Sequence, residues 1–351
     1  MADLTKPVVV SVIPVLNEES TIIQCLSSLC DQTYPHSLHR IFVFDGGSND
    51  STRDLVEDFI TNKDSKTPQI SIYDNPGRYV AEARNLALKL APDSTDYLLE
   101  IIGHCSVPKN HIETLVHLIT ELEEIYEQPI GALGVKVVRQ EGELGLVESW
   151  IESSLASPLA SGNGQFDNFS GTQQTKVPAF CLHPKGALDV VGGWDTSFIT
   201  SQDSDLSMRL IKAGYQLFRT DEVSVKMAKR TSLLSWAKMG FRYGFWRTKL
   251  LKKHRNRAST REFLPWFGLL LTVVLFLTNQ DYWYLPGSLY LLVLGFEGVR
   301  FSILNRNWTM TIGVPVTTIL LHTCFSIGLL YGFFGKPRSF NDRDTINGNL
   351  N

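Results

Sequence analysis

Three short acidic stretches set the chemistry this chain is equipped for: Asn17-Glu18-Glu19, Asp45-Gly46-Gly47-Ser48 and Gln202-Asp203-Ser204-Asp205. Carboxylates placed this way suit a reaction on a sugar carried by a nucleotide diphosphate. Such a donor needs an acid that reads the base, a group that neutralises the departing diphosphate, and a general base that takes the proton of an attacking hydroxyl. Each stretch alone is weak, because Asp-Gly-Gly-Ser is an ordinary turn in most proteins. Their order and spacing carry the signal. A basic, aromatic stretch and a strongly apolar C-terminal part follow, so the receiving molecule is expected at a membrane.

The elements that must hold these groups are legible as an alternation of short apolar runs and helical spacings over residues 1–138. Runs at 8–16, 41–44, 70–73, 97–102 and 132–138 read as strands. The spacing at 19–32 (Ile22, Ile23, Leu26, Leu29), around Leu55, Val56 and Phe59, at 79–90 and at 110–125 reads as helices,. Asn49 or Asp50 is placed to cap the second helix. This order predicts an α/β fold: a Rossmann-like, mostly parallel sheet with helices on both faces. Ligands of such sheets sit at the carboxyl ends of the strands, and Glu18, Asp45 and His104 fall just past predicted strand ends. A dinucleotide-dependent oxidoreductase is a poor alternative, since Pro14-Val15-Leu16-Asn17 stands where a Gly-x-Gly-x-x-Gly turn would be,. Residues 139–176 are rich in Gly, Ser, Asn and Gln and read as a long loop, most clearly at 157–164. A strand is expected to resume at 177–183, and a helix at 203–213.

From residue 263 the chain changes solvent. Residues 263–280 and 308–335 carry no charge, and 282–296 form a shorter apolar run. Two or three membrane helices follow from this, with Trp266, Trp283, Tyr284, Trp308 and Tyr331 as interfacial anchors; a soluble helical core is the alternative. Lys and Arg crowd the segment from Lys238 to Arg261 against a single acid, Glu262. That places the start of the first apolar helix in the cytoplasm, while a third crossing would leave Lys336 and Arg338 outside, so the last segment is either a span or a re-entrant hairpin. The mixed cationic and bulky apolar residues at 232–254 suit a helix lying on the membrane surface, although Gly240 and Gly244 weaken a helix. The expected division is therefore a catalytic domain at 1–230, a basic interfacial region at 231–262, a membrane region at 263–335 and a polar tail at 336–351. The net charge of −3 gives no field for nucleic acid. Five cysteines without a Cys-x-x-Cys spacing argue for a reduced, cytosol-facing protein with neither a disulfide frame nor a zinc site,. The first residues lack the apolar core of a cleaved signal peptide, so none is expected.

As a set, the motifs resemble the inverting family 2 glycosyltransferases of the GT-A fold. The matching pieces are Val12-Ile13-Pro14-Val15-Leu16-Asn17-Glu18-Glu19, Phe44-Asp45-Gly46-Gly47-Ser48-Asn49-Asp50-Ser51-Thr52, Ala83-Arg84-Asn85, Gly192-Gly193-Trp194-Asp195 and Gln202-Asp203-Ser204-Asp205-Leu206-x-x-Arg209. They look closest to the membrane-bound, succinoglycan-type (ExoA-like) branch, where Ser157-Pro158, the Phe241–Arg247 stretch and the apolar tail also match. The resemblance covers about residues 7–335. It implies that Pro14, Glu18 and Asp45 line the nucleoside pocket, that Arg84 lies near the diphosphate and that Asp203 is the catalytic base. Asp205 and Arg209 would support the site or form a plain helix ion pair. The implied donor is a nucleotide-sugar, a UDP-sugar first. The implied acceptor is a lipid-linked diphosphate or glycan, met by Arg242, Arg247 and Lys249 unless these residues only anchor membrane lipid. The implied location is an inner membrane or its equivalent, with the catalytic domain cytoplasmic.

Two departures bear on activity. The resemblance implies Mg2+ or Mn2+ held by Asp-x-Asp, or Asp-x-His in this branch, after the fourth strand. Here that position reads Ile102-Gly103-His104, so only His104 is left as a metal ligand, with Glu100 as a candidate oxygen donor from the same strand face,. The Glu expected before the base is Gln202. Metal affinity is expected to fall, and a catalytically weakened scaffold that binds nucleotide or lipid is the alternative to an active enzyme. Met239-Gly240-Phe241-Arg242-Tyr243 also replaces the Gln-x-x-Arg-Trp of processive relatives, which favours transfer of a single sugar.

Overall fold

A computed structural model describes residues 6–64, 67–140, 142–161 and 169–335. Residues 162–164 of the expected loop, together with the polar tail from Lys336 onward, lie outside the described residues. The described chain divides into two compact units, residues 6–140 with 169–228 and residues 142–161 with 229–335.

The first unit is built on a nine-stranded sheet. Its first half alternates as the sequence predicts: β1 (Val9–Val15), α1 (Ile22–Cys30), β2 (His39–Asp45), α2 (Thr52–Asn62), β3 (Gln69–Asp74), α3 (Val80–Leu90), β4 (Tyr97–Glu100), β5 (Cys105–Ser106) and α4 (His111–Tyr126). β1 lies between β2 and β4, and β2 pairs with β3, all in parallel. The strands are near-continuous apolar runs because both faces are covered. Val9, Ile13, Leu26 and Ile119 fill one side, and Val10, Val12, Phe42 and Leu98 the other.

The second half departs from the parallel expectation. β6 (Ile130–Arg139) does not sit beside β4. After α5 (Leu146–Ala156), α6 (Pro158–Ser161) and β7 (Gln173–Gln174), the short β8 (Leu182–Pro184) enters between them, antiparallel to both. α7 (Lys185–Val191) and α8 (Gln202–Lys212) follow. The twelve-residue β9 (Gln216–Met227) then runs parallel to β6 and antiparallel to β5 and β7. The result is a mixed sheet ordered β3-β2-β1-β4-β8-β6-β9-β5.

The second unit corrects the reading of residues 139–176 as one loop. α5 and α6 are helices, and α5 buries Ile151 and Leu155 at an i, i+4 spacing against Trp236 and Leu321,. Trp236 belongs to α9 (Leu233–Lys253), which is followed by α10 (Thr260–Leu277), α11 (Leu285–Asn305) and α12 (Met310–Phe334). The two glycines of α9 do not break it. They are contact points: a side chain on Gly244 would run into the Phe325 carbonyl and the Leu329 amide of α12. Small residues at such crossings let helix backbones approach. Polar side chains tie the same interior. The Trp236 ring donates to the Thr317 carbonyl (2.9 Å), and the Ser157 hydroxyl to Glu297 (2.7 Å), whose other partner is Arg300.

α11 and α12 are each long and apolar enough to cross a membrane, with mean hydropathies of 1.4 and 1.7. The helix at 263–280, expected as a span, stops at Leu277 and contains Pro265, leaving a shorter apolar helix. Leu270, Leu292, Phe296 and Ile303 stand exposed on these helices, as side chains facing lipid do.

Candidate active site

The first two acidic motifs are stitched into one structure. Asn17 takes a left-handed turn past β1 (φ 57°), which aims its backbone at the loop after β2. The Asn17 and Glu18 amides donate to the Ser48 and Thr52 hydroxyls, and the Asn49 and Ser51 amides donate back to the Asn17 and Glu19 side chains, over 2.7–3.0 Å. Asp50 accepts from the amide and hydroxyl of Thr52, but the N-cap of α2 is Ser51 rather than the expected Asn49 or Asp50. The polar residues flanking Glu18 and Asp45 therefore hold the two loops together rather than facing a substrate.

Asp45 ends β2 with its side chain 5% exposed. One carboxylate oxygen accepts from the amide and hydroxyl of Ser48 (2.9 and 2.7 Å), while the other lies 3.7 Å from Arg53. Asp45 opens into a cavity of about 350 Å³ lined also by Gly46, Gly47, Arg53, Asp74, Asn75 and the 76–79 turn. Asn75 is a residue the sequence did not single out. Its amide donates to the Asp45 carbonyl and its side-chain NH2 to the Tyr79 carbonyl, yet its buried Oδ1 has no partner among the described residues. A buried, unsatisfied acceptor is costly, and at the wall of a cavity it is ready for a ligand N–H. Its only sequence signal was its place just past β3.

Pro14 and Glu18 do not line this cavity. Pro14 is half-buried on β1, opposite Phe44. Glu18 meets His104 across the sheet end: one carboxylate oxygen lies 2.7 Å from His104 Nδ1, and the other accepts from Thr21 (3.0 Å). A carboxylate only accepts, so Nδ1 of His104 carries the proton and Nε2 is the nitrogen left to present.

Arg84 sits inside the unit. Its side chain is 7% exposed, with Nη1 3.0 Å from Glu100 and the guanidinium 5.6 Å from the Trp194 ring. Glu100 is also 3.4 Å from His183. Burial alone would push the Glu100 carboxyl up, but the Arg84 charge and His183 overcome it and hold the group down at about 2,. Glu100 thus faces Arg84 and His183.

The last motifs form a second brace. Asn85 and Trp194 exchange reciprocal hydrogen bonds (2.7 and 2.8 Å), and Gly193 beside Trp194 has φ +69°. Asp205 is fully buried. It receives Arg209 (2.8 Å), whose other nitrogens donate to the Val191 and Gly193 carbonyls (both 2.7 Å). The pair is therefore a buried clamp on the Gly192-Gly193-Trp194 turn rather than a surface ion pair. Asp203, by contrast, is half-buried in the first turn of α8 and accepts from the Ser204 amide (2.7 Å). A helix N-terminus favours a negative carboxylate there. Its charge reaches Cys181 on β8. The neighbouring Gln202 has a buried Oε1 without a partner among the described residues.

This arrangement of sheet and loops has known counterparts. The sequence matches the family Glycosyl transferase family 2 over residues 11–149. It is 30% identical, over 78% of its length and 80% of the relative's, to the succinoglycan biosynthesis protein ExoA of Rhizobium meliloti (strain 1021). The chain belongs to glycosyltransferase family 2. A second relative is the dolichyl N-acetyl-alpha-D-glucosaminyl phosphate 3-beta-D-2,3-diacetamido-2,3-dideoxy-beta-D-glucuronosyltransferase of Methanococcus voltae, 26% identical over 94% of this chain and 98% of that one. Among solved structures, the mannosyltransferase PcManGT from Pyrobaculum calidifontis, in complex with GDP-Man and Mn2+, superposes with a TM-score of 0.57, at 16% identity, over 93% of this chain and 88% of that one. The fold is GT-A. As a family 2 glycosyltransferase, the protein acts in polysaccharide or glycoconjugate biosynthesis on a nucleotide-sugar.

A divalent metal is plausible for this fold, since PcManGT is solved in complex with Mn2+. At the expected place Ile102 packs against the apolar core, Glu100 faces Arg84, and Glu18 meets His104. His104 and the Glu18 carboxylate are the donors there, and hard ions prefer several oxygens.

Proposed function

We propose that the protein transfers one sugar, with inversion at the anomeric carbon, from a UDP-sugar to a lipid-linked acceptor at the cytoplasmic face of a membrane. In this reading the base lies in the Asp45 cavity, with Asp45 and Asn75 accepting from its N–H. Asp203 takes the proton of the acceptor hydroxyl as that oxygen attacks C1 from the side opposite the leaving group. The C1–O bond breaks, and its electron pair stays with the diphosphate. Pro14 and Glu18 shape the loop around the nucleoside, while Arg84, Asp205 and Arg209 keep strands and turns in place behind it. The retained Asp203 carboxylate at the start of α8 carries this reading.

Support for the acceptor comes from the second unit. Arg242 on α9 has an Nε without a hydrogen-bond partner among the described residues, whereas Arg247 is 3.3 Å from Glu262. A guanidinium with an open Nε beside apolar helices suits a lipid phosphate. The name of the Methanococcus voltae relative specifies a dolichyl phosphate-linked sugar. Domain limits of 1–230, 231–262 and 263–335 follow the same division of labour.

A second reading is favoured by Ile102 and by the orphaned Gln202: a weakened transferase that binds nucleotide or lipid as a scaffold. Turnover of a panel of nucleotide-sugars by wild type and Asp203→Asn, with and without Mn2+, separates the two. Loss of a general base lowers turnover about 10²–10⁴-fold. Equal, background-level turnover by both proteins with every donor rejects the enzyme reading.

A further inference from the structure

The seam between β4 and β8 holds a cluster that the proposed transfer does not use. Leu98 pairs with His183 across this antiparallel seam, and the Glu100 amide donates to the Cys181 carbonyl (2.9 Å). Alternation along the two strands therefore puts Glu100, Cys181 and His183 on one face. All three are at most 5% exposed. A carboxylate oxygen, the sulfur and a ring nitrogen all lie within 4.8 Å of one another.

The ring of His183 shows that something is missing from this cluster. Nδ1 lies 2.9 Å from the Gly131 carbonyl, which only accepts, so Nδ1 carries a proton,. The other ring nitrogen, Nε2, has no hydrogen-bond partner among the described residues, and it faces Glu100 Oε1 at 3.4 Å. Two acceptors bracket the ring, so Nε2 meets Glu100 through a cation, either a proton or a metal ion. The sulfur beside it distinguishes the possible cations. As a thiolate it is a strong ligand for a borderline ion.

We infer that Glu100, Cys181 and His183 form a binding site for a zinc-class divalent cation, distinct from the Ile102-Gly103-His104 position. On binding, the Cys181 thiol gives up its proton to solvent, and sulfur, imidazole nitrogen and carboxylate oxygen close on the ion. The second shell is already built: the Gly131 carbonyl fixes the His183 ring, and Arg84 at 3.0 Å orients the Glu100 carboxylate,. Hard ions gain little from sulfur and nitrogen donors, so Mg2+ and Ca2+ are excluded by chemistry. The absence of a Cys-x-x-Cys spacing pointed away from zinc, but Cys181 just before β8, His183 on it and Glu100 on β4 bring three donors together through the sheet. The ion would tie β4 to β8, where the parallel half of the sheet meets the mixed half. The inference is independent of donor and acceptor identity.

The test uses the full-length protein, expressed with added zinc and purified in detergent. Metal content is measured by mass spectrometry, and Co2+ substitution is read by its sulfur-to-cobalt charge-transfer band. The expected result is stoichiometric zinc, a thiolate band that disappears in Cys181→Ser and stays in Cys25→Ser, and loss of the metal in His183→Gln. A second measurement needs no variant: chelation lowers the melting temperature of the wild type, and Zn2+ restores it while Mg2+ does not. Metal-free wild type that takes up no Co2+, a band indifferent to Cys181→Ser, or a melting temperature unmoved by chelator overturns the inference and leaves a proton as the occupant of Nε2.

Discussion

Replacing Glu100 by Gln removes the carboxylate from the Arg84–Glu100–His183 cluster and leaves the guanidinium, 7% exposed, without its counter-charge. Two routes give the cost. The carboxyl drops from an ordinary 4.5 to about 2 in the folded state. That is roughly 2.5 pH units at about 1.4 kcal/mol each, or about 3 kcal/mol. Breaking one side of a buried ion pair costs about 3–5 kcal/mol by direct comparison. A carboxyl whose folded pKa is depressed contributes stability that is present above its unfolded pKa and is lost as pH falls through the folded one. The gap between wild type and Glu100→Gln should therefore be full at pH 7 and close between pH 4.5 and about 2. Thermal melting of the detergent-solubilised proteins, in chelator to keep metal out, should show a loss of roughly 6–12 °C at pH 7. The variant's own curve should be flatter at acid pH. A variant within about 1 °C of wild type at pH 7, or a gap that persists unchanged down to pH 2, refutes the assignment of Glu100 as the charged partner of Arg84.

Gly193→Ala forces a side chain into the left-handed region and against Asn85 Oδ1. The strain is about 1–2 kcal/mol and each lost Asn85–Trp194 bond about 1 more, read by chemical denaturation. Asn75→Leu removes the orphaned acceptor of the Asp45 cavity. Nucleotide affinity measured by calorimetry should fall about tenfold, equivalent to about 1.4 kcal/mol, and the lost bond to the Tyr79 carbonyl should cost about 1 kcal/mol of stability; unchanged affinity would remove Asn75 from the donor site,. Gly244→Leu should separate α9 from α12 and cost about 1–3 kcal/mol or more in a detergent melt. Gly268→Leu, which meets nothing within 4 Å, should cost far less.

The first half of the sheet was legible because each strand is an apolar run buried on two faces and each helix carries a clear stripe; β1 to α4, apart from the unexpected two-residue β5, fall within a few residues of their predicted places, as do β6 and α8. The rest of the second half was not legible, for identifiable reasons. β9 carries Arg219, Asp221, Glu222 and Lys226 among its apolar residues and holds register shifts against β6, so its period is broken. α5 hides Ser153 and Ser154 inside a helix crossing, where small polar residues pack closely, and its composition resembles a loop. The insertion of β8 between β4 and β6 is a tertiary fact that no local pattern states. At the site, Asp45 was readable from its motif. The meeting of Glu18 with His104, 86 residues apart, was not. A lone glutamate in an apolar strand, Glu100, was a signal of a buried partner, but the partners Arg84 and His183 lie on other elements.

The two departures from the family pattern are best taken together. An Asp at residue 102 and a Glu at residue 202 would add two negative charges, and a divalent cation adds two positive ones. Ile102 and Gln202 remove the first pair. If the cation is absent too, the total charge near the diphosphate is what it was with all three present. The loss is then balanced, which single decay of a metal ligand would not be. The cavity beside Asp45 is balanced in the same way: Arg53 and Arg78 line it with Asp45 and Asp74, and Arg53 is paired with Asp74 at 2.6 Å. An enzyme arranged this way would turn over its donor with little response to Mn2+. A decayed one would not turn over at all, so the comparison of wild type with Asp203→Asn decides between balance and decay.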